Sequence, residues 1–273
     1  MRHVLSHSDG VIFSDSAPPG SWFDWQAHIK ALELQEPAWE PGTNGAYNSV
    51  NIGYLLGEIV RRVTGKTVGT FLREEVSAPL GADYQIGLKP DELARVSDMH
   101  PNPRNGFFQV AMDPSTPLGR AFHSAPKSYF QNLPQMREQE MPSFGGHGSA
   151  RAVARIYAVL AGNGALNDTR LLSPEAVERA SKLAWDHQNM MTGQRMRMGY
   201  GFMHNDPESN PMGSTPGAFG HAGSGGALAW CDRERNLSFA YCTNFQREGA
   251  GVGSRTAAVS LAAGGGEKPS WFV

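Results

Sequence analysis

The amino-acid sequence predicts an α+β fold in which helices come first and antiparallel strands follow. Residues 51–63 place apolar side chains at the 3.6-residue period of a helix, whereas residues 198–242 form short apolar runs separated by polar turns. Helices and strands do not alternate, so a parallel sheet of βαβ units is not expected. We assign residues 1–273 to one domain, with helices and loops over about 1–190 and antiparallel strands plus a C-terminal helix over about 191–273.

The strongest helix prediction begins at Asn51. Residues 1–46 before it are rich in turn formers, with a short helix expected over Trp25 to Leu34. From Asn51 onward, apolar residues follow the i, i+3, i+4, i+7, i+8, i+11 pattern of one helix face: Ile52, Leu55, Leu56, Ile59, Val60 and Val63. Gly65 then takes the C′ position that commonly ends a helix. A second helix is predicted over Val68 to Val76, ending before the Pro-Leu-Gly that follows.

Residues 82–144 show no sustained periodicity and contain scattered Pro, Asn and Met. We predict long loops and short helices there that wall a pocket. Ser149 has the position of an N-cap for a helix over Ala150 to Leu160. The run Ser173-Pro174-Glu175 starts another helix, because it combines an N-cap, a proline at N1 and an acid near the positive helix end.

The C-terminal third changes to strand patterns. Met198 to His204 and Ala218 to His221 are predicted strands. Ala227 to Cys231 and Leu237 to Cys242 flank a polar turn and are predicted to form a hairpin. A final helix is expected over Ser254 to Ala262.

Composition argues against several classes of function. The net charge of −2 is unlike the clustered Lys and Arg of a surface for nucleic acid or anionic membranes. The nine histidines form no pair with metal-ligand spacing, and no phosphate loop is present. We therefore expect no metal or other cofactor, no nucleic-acid partner and no membrane partner.

The two cysteines and the lack of long apolar runs bear on location. Cys231 and Cys242 are not opposite each other in the predicted hairpin, so we expect free thiols, which suit a reducing compartment. No apolar run approaches the ~20 residues needed to cross a bilayer, and the first residues lack an apolar signal core. A cytoplasmic location is expected, unless a targeting segment lies upstream of Met1.

Tyr47 stands between a Pro41-Gly42-Thr43 turn and the strongest helix. A tyrosine held at such a junction presents its hydroxyl to a cleft, and it acts as a base where nearby cations lower its pKa. The same position suits a packing tyrosine that anchors the helix start. Local sequence leaves both interpretations open.

His221-Ala222-Gly223-Ser224 ends a predicted strand. A glycine there lets a substrate carbonyl approach the strand backbone, and the Ser224 amide then donates to an oxyanion. The alternative is a glycine-rich strand end with no role in binding.

Ser224 also matches a relaxed nucleophile elbow. That motif needs a helix after the serine, but a strand is predicted there. It also needs a histidine later in the chain, and His221 is the last histidine.

Ser124-Ala125-Pro126-Lys127 is the one Ser-x-x-Lys in the sequence. A serine and lysine at this spacing act together when they share one helix face, and Pro126 disfavours that geometry. The motif also follows Tyr47 rather than preceding it. We interpret it as a chance match.

In the order of its motifs the chain resembles the serine β-lactamase and penicillin-binding-protein superfamily, in particular its class C-like esterase branch. Its opening resembles that branch's "RHLLSHTSG" segment. The resemblance implies an antiparallel sheet flanked by helices, with α/β and all-α regions. The matching segments are Arg2 to Gly10, Pro41 to Tyr47, Gly53 to Val60, Gly145 to Arg151, Leu171 to Glu175, Gly199 to Phe202 and Phe219 to Gly223.

The resemblance also implies roles for individual residues. Tyr47 matches the tyrosine that helps to deprotonate a serine nucleophile and passes a proton to the leaving group, and Ser49 stands where many relatives carry Asn. His221-Ala222-Gly223 replaces Lys-Thr-Gly, and Ser224 supplies one oxyanion N–H. Loss of that lysine removes a cation for a substrate carboxylate, which favours small neutral esters over β-lactams.

The chain departs from the family because no Ser-x-x-Lys precedes Tyr47, and Met1 aligns with an interior position. We expect a family member without its nucleophile and without the first strands of its sheet. One hypothesis is that the intact protein is an esterase acting through an acyl-serine, although β-lactamase, D-Ala-D-Ala peptidase and acyltransferase activities use the same machinery. The other is an inactive relative that binds a ligand or a partner, such as a second copy, through an uncovered sheet edge.

Overall fold

The structure is a computed structural model that describes residues 1–102, 106–126, 131–247 and 251–266. It has the mixed helix-and-strand fold that the sequence predicts. The helices are α1 Arg2–Leu5, α2 Trp25–Leu34, α3 Asn51–Thr64, α4 Val68–Leu72, α5 Ala78–Leu80, α6 Gly106–Ala111, α7 Pro117–Ala121, α8 Pro134–Glu138, α9 Ala150–Ala161, α10 Pro174–Ala180 and α11 Gly253–Gly264. The strands are β1 Tyr84–Ile86, β2 Gly146–Gly148, β3 Ala165–Leu166, β4 Thr169–Arg170, β5 Leu183–Gln188, β6 Arg195–Gly199, β7 Met203–His204, β8 Phe219–Ala222, β9 Leu228–Asp232 and β10 Leu237–Tyr241.

The main sheet is antiparallel, with the strand order β10-β9-β8-β7-β6-β5. Each strand pairs with its neighbour in the chain, so the sheet is a meander with β10 and β5 at its edges. Two small sheets, β1-β2 and β3-β4, lie outside it. The β1-β2 pair joins distant segments, since Gln85 pairs with His147.

Side chains alternate between the two faces of the main sheet, and helices cover both. Trp230 of β9 packs in one cluster with Ala257 of α11, and its indole N–H donates to Ser260 at 2.9 Å. Its neighbour Cys231 packs on the opposite face with Val177 of α10 and with α9. The antiparallel sheet flanked by helices is therefore confirmed.

Most predicted helices form at their expected positions. The helix predicted over Trp25 to Leu34 is α2, and Gly65 ends α3 in the left-handed conformation, with φ of +73°. Ser149 caps α9 and Ser173 caps α10, each by accepting a backbone N–H at 3.2 Å. The C-terminal helix is α11.

Helix α3 buries a different face from its apolar stripe. Val63 of that stripe is 78% exposed. Two glycines explain the difference, because a Cβ on Gly53 would lie 2.5 Å from the Ser143 hydroxyl and one on Gly57 would lie 2.6 Å from the Trp25 ring. Neighbouring segments approach the helix closely along this face. Its fully buried residues are Asn51, Gly53, Tyr54, Gly57 and Glu58.

The predicted end of the second helix is wrong. Helical backbone continues from Val68 to Leu80, through a π-helical turn over Arg73–Ser77, and stops at Gly81 with φ of +59°. Pro79 lacks an N–H, and its ring presses against the preceding turn of a regular α-helix. The wider π turn accommodates the proline within a continuous segment.

The strand predictions need two corrections. Met198 to His204 is two strands, β6 and β7, because Gly201 adopts φ of +92° in a turn between them. The sheet also begins earlier than about residue 191, since β5 has no counterpart among the predicted strands. The hairpin of β9 and β10 is confirmed, with Ser238 opposite Cys231, and both cysteines are free.

A buried polar network ties the N-terminal residues to the start of α3. The side chain of Asn51 donates to the Phe13 carbonyl at 3.0 Å, and its oxygen lies 3.1 Å from Nε2 of His28. The Asn48 side chain accepts the Asn51 backbone N–H at 3.0 Å and donates to the Val11 carbonyl at 2.9 Å. Because unpaired buried polar groups are costly, these bonds fix the loop before α3.

Replacing Asn51 by leucine should lower the free energy of unfolding by about 2–4 kcal/mol, since it leaves the Phe13 carbonyl and Nε2 of His28 unpaired. Urea unfolding followed by circular dichroism measures this. Asn244→Ala, at an exposed position, is the control and should change the value by less than about 0.5 kcal/mol. An equally small effect of Asn51→Leu would contradict the role given to the network.

Candidate active site

Tyr47 lies in the loop before α3, between two histidine rings. The centroid of its ring is 5.0 Å from that of His7 and 5.5 Å from that of His221. Its backbone N–H donates to Oδ1 of Asn189 at 3.2 Å. Two predicted site residues, Tyr47 and His221, are thereby brought together from distant parts of the chain.

The backbone around Tyr47 is held by His7. This histidine is 4% exposed and has a φ of +55°, a left-handed conformation that few side chains adopt without strain. Its Nδ1 accepts the Asn48 N–H at 3.0 Å, and its carbonyl accepts the Ala46 N–H at 3.0 Å. The residues on both sides of Tyr47 are therefore bonded to one buried side chain and its own backbone.

The turn after β8 holds Gly223 and Ser224 in a fixed conformation. The Gly223 N–H donates to the Ala227 carbonyl at 2.8 Å, and the Gly226 N–H donates to the Gly223 carbonyl at 3.1 Å. Gly225 and Gly226 have φ values of +90° and +103°, which residues with a Cβ rarely adopt. The N–H of the exposed Ser224 donates to no group within the described ranges, so it is available to a ligand.

The groups around Tyr47 are electrically neutral at pH 7. Burial lowers the pKa of His221, whose Nδ1–H donates to the Ala222 carbonyl at 2.8 Å. Burial, and then the proximity of His221, lower the pKa of His7 to about 3. Burial raises the pKa of Tyr47 to about 12. The Tyr47 hydroxyl therefore keeps its proton at neutral pH, and a cation has to approach it before it can act as a base.

Two further serines from the sequence analysis differ in accessibility. Ser49 is half-buried in the loop beyond Tyr47, and its side chain makes no hydrogen bond to the residues that the structure describes. Ser124 is fully buried in the turn after α7, whereas Lys127 lies outside the described residues. A hydroxyl with no exposed surface has no access to a substrate.

A cavity of about 960 Å³ opens beside the turn after β8. Its wall includes His221, Gly223 and Ser224, together with the β1-β2 pair and the loop after β10. Described residues within 82–144 line it as predicted, among them Tyr84, Gln85, Leu88, Arg95, Asn132 and Phe144.

Ser143 connects this cavity to the Tyr47 loop. It lines the cavity, and its hydroxyl donates to the Val50 carbonyl at 2.7 Å and accepts the Gly53 N–H at 3.0 Å.

Over the described ranges, no group of three His, Cys, Asp or Glu side chains has a geometry that could hold a metal ion. No helix in the described part of the chain is both long and apolar enough to span a bilayer.

Sequence reasoning missed His7 and Asn189. Asn189 is buried, and its Oδ1 accepts the N–H groups of Tyr47 and Met191 at 3.2 and 3.0 Å. It follows β5, a strand that the sequence did not predict, so no local pattern marks it. The one signal for His7 is its place in the opening segment that resembles a known family.

Comparisons with known proteins give consistent relatives. A family model described as Beta-lactamase matches residues 1–264. The chain is 28% identical over 263 residues to Esterase/beta-lactamase LipL of Mycobacterium tuberculosis, which covers 89% of this chain but 58% of that protein. The chain thus spans somewhat more than half the length of this curated relative.

Two solved structures are similar in both sequence and fold. One is a penicillin-binding protein homolog from Caulobacter crescentus, with 34% identity, a TM-score of 0.81, and coverage of 95% of this chain and 69% of that chain. The other is a family VIII carboxylesterase, with 31% identity, a TM-score of 0.85, and coverage of 96% of this chain and 69% of that chain.

Replacing His7 by asparagine, which tolerates a left-handed backbone, should make folding less sensitive to acid. The pKa of His7 is about 3 in the folded chain against 6.5 when unfolded, so the unfolded state binds more protons and stability falls as the pH drops from 6.5 towards 3. Between pH 7.5 and 4.5 this accounts for about 2–3 kcal/mol, which His7→Asn should remove. Urea unfolding at both pH values measures this decrease in the free energy of unfolding. His187→Asn, at an exposed position, is the control and should show the same decrease as the unaltered chain. An undiminished decrease in His7→Asn would contradict the assignment.

Proposed function

This chain belongs to the beta-lactamase family, and from that premise we propose that it is the Tyr47-bearing part of a serine hydrolase that cleaves small carboxylic esters. The family consists of hydrolases, including esterases and β-lactamases. The observation that carries the proposal is the packing of Tyr47 against His221, at the end of the strand that leads to Gly223 and Ser224.

The neutrality of the site supports esters as substrates. His221 stands at the position of a lysine in the resemblance, and burial lowers its pKa, so it offers no positive charge to a carboxylate at neutral pH. β-Lactams and peptides with a free C-terminus carry such a carboxylate. Two of the similar proteins are named as esterases, which supports the same substrate class.

In the proposed reaction a serine hydroxyl adds to the ester carbonyl and gives its proton to the phenolate oxygen of Tyr47, the form that a nearby lysine ammonium stabilises. The carbonyl oxygen becomes an oxyanion and accepts the Ser224 N–H. Collapse of this adduct breaks the ester C–O bond, and the departing alcohol oxygen takes the proton back from Tyr47. Water then hydrolyses the acyl-serine to the carboxylic acid and regenerates the serine.

The serine and its activating cation are the parts that these residues do not supply. The one Ser-x-x-Lys in the sequence, at Ser124, follows Tyr47 and begins with a fully buried hydroxyl. Because the pKa of Tyr47 is about 12, a nearby lysine is required to bring it into a useful range. We propose that a Ser-x-x-Lys outside these 273 residues provides both groups.

A second candidate function is binding without catalysis. Strand β10 is an edge of the main sheet, and its residues Leu237–Tyr241 are half-buried and uncharged. Edge strands of this kind pair with strands of other chains. In this alternative the chain associates with a second copy through β10.

A cytoplasmic location is part of either proposal. It is supported by the two free thiols, one of them exposed.

The ester hydrolase proposal is tested with a form that carries a Ser-x-x-Lys ahead of Tyr47, expressed from the coding sequence upstream of Met1. It should hydrolyse p-nitrophenyl butyrate, and Tyr47→Phe should lower kcat/KM by about 10²–10⁴-fold, because proton transfer to the alcohol is lost. Tyr200→Phe, in the turn between β6 and β7, is the matched control and should leave kcat/KM near that of the unaltered form. A loss of about threefold or less in Tyr47→Phe would remove the proposed role.

The second candidate is tested by light scattering on a sizing column. If β10 pairs with a second copy, the 273-residue chain should elute as a dimer. Ser238→Lys should then shift it to the monomer, because a charge on an edge strand opposes pairing. Ser254→Lys, on the exposed side of α11, should leave the dimer intact. A monomeric unaltered chain would count against edge pairing.

A further inference from the structure

The loop between β5 and β6 is a second support of the Tyr47 backbone. It begins at Asn189, which is 1% exposed. Oδ1 of Asn189 accepts the Tyr47 N–H at 3.2 Å. The next residue of the loop, Met190, donates its N–H to the Gly45 carbonyl at 3.2 Å. The two bonds run in opposite directions between the same two segments, as they do between paired strands, with a side-chain amide oxygen in the place of one carbonyl.

Asn189 also shapes its own loop. Its Oδ1 accepts the Met191 N–H at 3.0 Å, which is a turn that Asn commonly makes with the residue two positions later. Such a turn needs no contact with the rest of the molecule, and loops of this kind usually lie on the surface. The burial of Asn189 and its bond to a residue 142 positions away in the chain go beyond what the turn requires.

Three consecutive N–H groups around the tyrosine are bonded from two parts of the chain. Those of Ala46 and Asn48 donate to the carbonyl and to Nδ1 of His7, each at 3.0 Å. The N–H of Tyr47 itself donates to Asn189. The bond to Asn189 is therefore the one made by the residue that carries the ring. A small rotation of this peptide would move the oxygen at the far end of the ring by a larger distance.

Trp185 of β5 holds the same region against the opening segment. Its indole N–H donates to the Ser6 carbonyl at 2.6 Å, one residue before His7. A Cβ on Gly45 would lie 2.5 Å from the Trp185 ring, so the chain before Tyr47 lies directly against that ring. Because β5 is also paired with β6, it connects this region to the main sheet.

We propose that Asn189 is a positioning residue for the proton transfers at Tyr47. The proposal rests on the proposed ester hydrolase function and adds a residue to that site. Asn189 exchanges no proton with the substrate. Its amide oxygen sets where the Tyr47 oxygen stands relative to the attacking serine and the departing alcohol. Such a role is sensitive to small changes, because displacement of a reacting group by about 1 Å costs about 10²-fold in rate.

The first test measures kcat/KM for p-nitrophenyl butyrate in the form that carries a Ser-x-x-Lys ahead of Tyr47. Asn189→Ala should lower kcat/KM by about 10–100-fold, because the Tyr47 oxygen moves away from its reacting position. Thr192→Val is the matched control in the same loop. It removes a side-chain bond at 3.4 Å to the Gln194 N–H, a bond that stays within the loop, and should leave kcat/KM near that of the unaltered form.

A double-mutant cycle separates positioning from a structural role. If Asn189 acts through Tyr47, Asn189→Ala should lower kcat/KM by less than about threefold once Tyr47→Phe is present. A structural role would give the same loss in both backgrounds, and that result would overturn the proposal. A loss of about threefold or less in Tyr47→Phe alone would overturn the proposed reaction and this role with it. A full loss in Tyr47→Phe combined with additive effects would overturn the role of Asn189 alone.

NMR of the 273-residue chain with ¹³C-labelled tyrosine rings gives a readout that needs no nucleophile. The centroid of the Tyr47 ring lies 5.0 and 5.5 Å from those of two histidine rings, so its chemical shifts report its position. Asn189→Ala should move the Tyr47 signals and leave those of the buried Tyr54 in place. Unmoved Tyr47 signals would overturn the proposal.

Asn189→Asp is the conservative variant, because it keeps an oxygen that accepts both N–H groups. It should leave the Tyr47 signals in place and keep kcat/KM within about tenfold of the unaltered form. Displaced Tyr47 signals in this variant would overturn the proposal. If shifted Tyr54 signals show that Asn189→Ala does not fold, the comparison of Asn189→Asp with the unaltered chain still decides the question.

Discussion

Hydrogen bonds from a few buried polar side chains hold the first residues of the chain against the start of α3, and the site depends on them. Asn51 and Asn48 bind the carbonyls of Phe13 and Val11, while His7 binds the backbone on both sides of Tyr47. Close packing at Gly53 and Gly57 fixes one face of α3, and directional bonds to particular carbonyls add to it in defining a single orientation. The main sheet provides the other part of the site, because β8 brings His221 to the Tyr47 ring.

The site that results has fixed geometry and no net charge. Burial keeps His7 and His221 neutral and makes Tyr47 a weaker acid, so the same packing that positions these groups also suppresses their reactivity. In the proposed reaction, Tyr47 depends on a charge brought next to it. The described residues would then provide position and an oxyanion donor, and a cation from elsewhere would provide activation.

Sequence reasoning succeeded where the signal was local. The N-caps Ser149 and Ser173, the glycine that ends α3 and the hairpin of β9 and β10 depend on residues a few positions apart. It failed where partners were distant. β5 is an exposed edge strand without polarity alternation, and the glycines of α3 reveal its buried face only through Trp25 and Ser143. Asn189 could not be found, because its role depends on a backbone N–H supplied from the other half of the fold.

The glycine pair at positions 225 and 226 limits how this family member can diverge. With φ values of +90° and +103°, both positions exclude almost every other residue, so the turn beside Ser224 is closed to sequence variation. New substrate preferences have to arise elsewhere in the cavity wall. Described residues between 82 and 144 line the same space, and among them Gly87 is the one with a positive φ. Substitutions meant to change what the cavity binds are therefore best made in that segment, with the glycine turn left unmutated.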